Sequence, residues 1–121
     1  YLYIGEEVLT LSRVQFGGRD VILAGAGNGY IYMIDESARV LWSRFLDGKV
    51  VAIEAVGEVI LAGTDRGDVF ILGMDGAIKG MFQMDSCIVS MIPLKTDRRV
   101  VVITQDGSVM ELDLNQLSLW D

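Results

Sequence analysis

A short sequence pattern occurs three times in this chain and limits what the chain can fold into. Each copy places two apolar runs on either side of a turn rich in glycine and polar residues, in residues 21–32, 58–72 and 100–110. The turn glycines are Gly29, Gly67 and Gly107, so successive copies lie 38 and 40 residues apart. Two β-rich runs around such a turn predict a β-hairpin. The chain is therefore predicted to repeat one hairpin-containing unit three times.

Further short apolar runs complete each unit to four strands. The predicted strands are residues 8–14, 21–26, 30–34, 40–46, 50–56, 59–63, 69–72, 78–84, 87–92, 100–104, 109–112 and 117–120. A period near 40 residues in β-rich sequence is typical of β-propeller blades. We predict an all-β fold in which residues 1–121 form one β-propeller segment of three four-stranded antiparallel blades, at about residues 8–46, 50–84 and 87–121. The runs 59–62 and 100–103 are apolar throughout, which predicts strands buried on both faces.

Three blades are fewer than a closed propeller contains, since propellers close with about four to eight blades. Residues 1–7 match residues 43–49, so 1–7 are expected to contain the outer strand of a preceding blade. Each terminal blade would expose an apolar face of the kind that marks an interface. We expect either a segment of a longer propeller, whose further blades cover these faces, or a homo-oligomer in which two copies supply six blades.

Composition excludes several functional classes. The chain carries a net charge of −7, which disfavours nucleic-acid binding, and it has no apolar run near the roughly 18 residues of a membrane span. It contains no histidine, the commonest acid–base residue and metal ligand. Cys87 is the sole cysteine, which excludes an internal disulfide and favours a reducing, cytoplasmic location.

The spacing of aspartate and tryptophan in the repeats resembles that of a known propeller family. Asp35 precedes Trp42 by seven residues and Asp113 precedes Trp120 by seven, each tryptophan following a leucine. This pattern is similar to the pyrroloquinoline-quinone-type propeller repeat, although the second unit has glycine at both positions. In that family the tryptophan docks one blade onto the next, so the resemblance implies the same role for Trp42 and Trp120.

The alternating strand direction predicts that the chain's turns divide between two faces. In each blade, the turn between the second and third strands lies on the same face as the connections between blades. We name this face the upper face. The predicted partner-binding residues on the upper face are Asp47, Lys49, Asp65, Arg66, Asp68, Asp85 and Asp106. The lower face holds the other turns, with Arg19, Arg98, Arg99, Asp35 and Asp75.

Three motifs permit other interpretations. Arg66-Gly67-Asp68 is an adhesion tripeptide, but glycine and aspartate are also the usual residues of such turns. Residues 25–29 look like a phosphate loop, but a strand rather than a helix is predicted after them. The turn aspartates suggest a metal cluster, yet the spacing of a calcium loop is absent, so solvated carboxylates are favoured.

Two functional classes remain at this point. The first is a non-catalytic scaffold that binds a protein partner through a turn-lined face. The second, implied only by the resemblance, is a fragment of a quinone-dependent dehydrogenase, which needs a stacked cofactor, a calcium ion and a catalytic carboxylate. No residue set in the chain matches those roles, and one cysteine cannot form the vicinal disulfide of some of these enzymes. Because a shared fold does not imply a shared function, the resemblance alone does not predict an enzyme. We therefore predict a scaffold without catalytic residues, cofactor or metal.

Overall fold

A computed structural model describes residues 3–94 and 98–115, and those residues form eleven β-strands. The first sheet contains β1 (Val8–Phe16), β2 (Arg19–Ala26), β3 (Tyr30–Ile34) and β4 (Val40–Phe45). The second contains β5 (Val50–Val56), β6 (Val59–Thr64), β7 (Asp68–Gly73) and β8 (Ile78–Gln83). The third contains β9 (Ile88–Pro93), β10 (Arg99–Thr104) and β11 (Val109–Asp113).

Each sheet is an antiparallel meander in which neighbouring strands follow one another in sequence. The first two sheets have four strands, and the described part of the third has three. The fourth strand predicted for the third sheet, residues 117–120, lies outside the described residues. The prediction of an all-β fold built from four-stranded antiparallel propeller blades is confirmed.

The three repeated hairpin turns have one conformation. Gly29, Gly67 and Gly107 have φ angles of +91°, +88° and +90°, a region that residues with a Cβ rarely adopt. The N–H of each glycine donates to the carbonyl three residues earlier, at 3.3, 3.2 and 3.1 Å. The repeat in sequence is therefore a repeat of local backbone structure.

The core lies in two layers between successive sheets. Leu23, Ile31 and Met33 of the first sheet pack with Ile60 and Leu72 of the second, and all five are buried. A second set joins the other face of the second sheet to the third; its members include Leu61, Val69, Ile71, Val100 and Val102. The second sheet is thus covered on both faces, as a blade between two neighbours is.

The prediction of strands buried on both faces is correct for one strand and wrong for another. Every residue of β6 is buried. In β10, however, Val100 and Val102 are buried whereas Val101 and Ile103 are half-buried. The difference arises because Val101 and Ile103 lie on the face of the third sheet that packs against no other sheet in the described part of the chain.

The first hairpin is longer than the sequence predicts. β1 ends at Phe16, not residue 14, and Gly17-Gly18 forms a two-residue turn between the paired residues Phe16 and Arg19. The corresponding strand β5 ends at Val56, as predicted. At the start of the chain, Tyr3 and Ile4 belong to none of the described strands, and residues 1–2 lie outside the described residues.

Candidate partner-binding surface

Backbone hydrogen bonds join each hairpin turn of the upper face to the connections between sheets. The N–H of Asp65 donates to the carbonyl of Lys49 at 3.0 Å, and the N–H of Gln105 donates to that of Cys87 at 2.9 Å. The N–H of Met84 donates to the carbonyl of Gly67 at 2.8 Å. Because these bonds repeat from sheet to sheet, charged residues on the turns lie beside those on the connections.

Four of the predicted residues form one group between the first two sheets. Arg66 Nη1 lies 3.6 Å from Asp47 Oδ2, and both side chains are exposed. Asp65 Oδ1 accepts a hydrogen bond from the N–H of Lys49 at 3.0 Å. These four residues line an open cleft of about 270 Å³ together with Asn28 and Phe45. The cleft thus presents two cations and two carboxylates beside an aromatic ring.

The other three predicted residues lie along the junction between the second and third sheets. Asp68 Oδ1 accepts a hydrogen bond from Gln83 Nε2 at 2.8 Å. The N–H of Asp106 donates to Ser86 Oγ at 3.2 Å, and Asp85 is exposed next to that serine. They therefore form a separate, acidic part of the upper face.

The carboxylate of Asp106 is held in its ionised form by its own turn. The Thr104 hydroxyl donates to Asp106 Oδ1, and the N–H of Ser108 donates to the same oxygen at 3.1 Å. These bonds, that of Thr104 first, lower the pKa of Asp106 below its ordinary value. The negative charge at this position therefore persists into the acidic range.

The tripeptide Arg66-Gly67-Asp68 is tied into the fold. A Cβ on Gly67 would lie 2.5 Å from the carbonyl oxygen of Met84 and 2.7 Å from that of Ser86. Arg66 contacts Asp47, and Asp68 accepts a hydrogen bond from Gln83. The three residues are held as a hairpin turn with no free loop around them.

Trp42, predicted to join blades, spans the first and second sheets. Its Nε1 donates to the carbonyl oxygen of Met74 at 2.9 Å, and its ring covers Gly76, where a Cβ would lie 2.8 Å from the ring carbons. Arg44, two residues later on the same face of β4, donates from Nε to the carbonyl oxygen of Gly76 at 2.8 Å. Trp120, the second predicted docking residue, lies outside the described residues.

Sequence analysis did not identify Arg44 or the aromatic residues beside the cleft. The ring of Tyr30 lies 5.2 Å from that of Phe45 and 6.0 Å from that of Tyr32, centroid to centroid. Asn28 Nδ2 donates to the Tyr32 hydroxyl at 3.1 Å. Arg44 could have been identified from its position two residues after Trp42, since residues two apart in a strand lie on the same face.

The described residues contain no group of three or more histidine, cysteine, aspartate or glutamate side chains arranged to hold a metal ion. Within residues 3–94 and 98–115 no helix is long and apolar enough to cross a membrane.

Solved structures similar to this chain are propeller domains and a designed protein. BBS1N, crystallised in complex with ARL6DN, superposes on this chain with a TM-score of 0.79 at 13% sequence identity. The match covers 98% of this chain and 40% of the BBS1N chain. The WD40 β-propeller domain of Doa1 gives a TM-score of 0.78 at 18% identity, covering 90% and 37%. The computationally designed protein Ika4 gives 0.74 at 19% identity, covering 88% and 66%. At these identities the likeness establishes the propeller fold.

The chain spans about two fifths of BBS1N and of the Doa1 domain and two thirds of Ika4. No curated protein matches the sequence significantly. A family of sequences does match, over residues 8–120, which is nearly the whole chain. The match does not test the more specific resemblance to the quinone-type repeat. The chain belongs to the family described as the CFAP43 N-terminal domain.

Proposed function

We propose that this chain is a non-catalytic β-propeller scaffold that binds a protein partner through its upper face. The observation that carries the proposal is the group formed by Asp47, Lys49, Asp65 and Arg66 around one cleft. The group draws two members from the connection between the first two sheets and two from the hairpin turn of the second sheet, so it depends on how that connection packs on that turn.

The composition of the cleft supports binding to a protein rather than to a small molecule. Arginine and aromatic residues are enriched among the residues that dominate protein–protein affinity, and the cleft offers Arg66 and Phe45. The cleft is open and four of its lining residues are charged, whereas small-molecule sites are mostly apolar and enclose most of the ligand. Exposed pairs such as Arg66–Asp47 add little to stability, so they are free to exchange partners on binding.

The structural neighbours support the same function. BBS1N is a protein of this fold that was crystallised with another protein, ARL6DN. The Doa1 domain is a WD40 propeller. By analogy with BBS1N we propose that the partner of this chain is a protein; the seven upper-face residues are its candidate contacts, and the acidic junction of Asp68, Asp85 and Asp106 favours a partner with a basic patch.

The proposal is tested by comparing single-charge variants on the two faces. Proteins retained by the immobilised wild-type chain are identified by mass spectrometry, and the affinity of each is measured by titration calorimetry against Arg66→Ala and Arg19→Ala. Arg19 is the matched control, because it is an exposed arginine on the lower face. Arg66→Ala should weaken binding at least about tenfold, whereas Arg19→Ala should leave it unchanged.

Both variants are expected to keep the wild-type midpoint of thermal unfolding, since each side chain is exposed. Equal binding by wild type and Arg66→Ala, with loss of binding in Arg19→Ala, would assign the partner to the lower face and refute the proposal.

A further inference from the structure

We draw no further inference here: the strongest candidate, the lower-face cleft between the β1–β2 and β3–β4 turns, carries nothing because Arg19 and Arg39 lie among its carboxylates and nothing in the structure shows what occupies it.

Discussion

Replacement of Trp42 by alanine tests the contact between the first two sheets most quantitatively. The change removes an indole that covers Gly76 and donates a hydrogen bond to Met74. Truncating a fully buried tryptophan costs about 3–5 kcal/mol, and Trp42 is half-buried, so we expect about 2–3 kcal/mol from lost packing. The lost hydrogen bond adds about 1 kcal/mol. The expected loss in the free energy of unfolding is therefore about 3–4 kcal/mol.

Urea denaturation followed by circular dichroism measures this loss, with Trp42→Phe as the matched variant. Phenylalanine keeps an aromatic ring over Gly76 but has no N–H to donate to Met74. It should therefore lose about 1–2 kcal/mol, from the hydrogen bond and the smaller ring. A midpoint shift without a change in slope would show that stability alone has changed.

A double-mutant cycle with Gly76→Ala isolates the contact itself. A Cβ at Gly76 would lie 2.8 Å from the ring of Trp42, and the φ of +84° strains any residue with a side chain. In the Trp42→Ala background only the φ strain remains, so Gly76→Ala should cost at least about 1 kcal/mol less there than in the wild type. Purely additive losses, or a loss below about 1 kcal/mol for Trp42→Ala alone, would show that the tryptophan does not stabilise the junction.

Three further outcomes follow from the geometry. Gly67→Ala should cost at least about 1 kcal/mol more than Gly107→Ala in the same urea assay, because both glycines have φ near +90° but only a Cβ at Gly67 meets backbone, at 2.5 Å from the Met84 oxygen. Desolvation raises the pKa of Glu54, so the contribution of this residue to stability is present below the ordinary glutamate pKa and is lost as the pH rises through the raised value; Glu54→Gln should remove that contribution to the pH dependence and unfold at higher urea than the wild type at neutral pH but not in acid. The N–H of Arg39, chiefly, lowers the pKa of Asp35, so its stabilisation should be present above the ordinary aspartate pKa and lost as the pH falls through the lower value. Asp35→Asn should therefore be less stable than wild type at neutral pH and equal to it in strong acid.

The sequence predicted the strands well where a glycine turn and an apolar run coincide. The bounds of β3 and β5 agree with the prediction, because the repeated turn ends at Tyr30 and the connection ends at Val50. The end of β1 was misplaced because Phe16-Gly17-Gly18-Arg19 is compatible with a four-residue turn as well as with a paired Phe16–Arg19 closed by two glycines. Local sequence does not distinguish these turns, since the choice depends on the register of the whole hairpin.

The upper face was predictable only as a set of residues on one side. Strand alternation placed Asp47, Lys49, Asp65 and Arg66 together, and they do line one cleft. Their separation from Asp68, Asp85 and Asp106 depends on how one sheet packs on the next. A periodic sequence pattern gives no information about that packing. Arg44 donates a hydrogen bond to the carbonyl oxygen of Gly76, 32 residues later in the chain. Sequence analysis missed Arg44 because a backbone carbonyl can belong to any residue, so no residue type marks the partner.

Hydrogen–deuterium exchange of the chain, alone and bound to a partner protein isolated with it, tests the proposed scaffold function most directly. Partner binding to the upper face should slow amide exchange in residues 45–49, 64–68, 84–87 and 104–107, because these turns and connections form that face. Exchange in the lower-face turns, residues 16–19, 35–39 and 57–58, should not change. Protection confined to the lower-face turns, with unchanged exchange at 45–49 and 64–68, would contradict the assignment of the upper face as the binding surface.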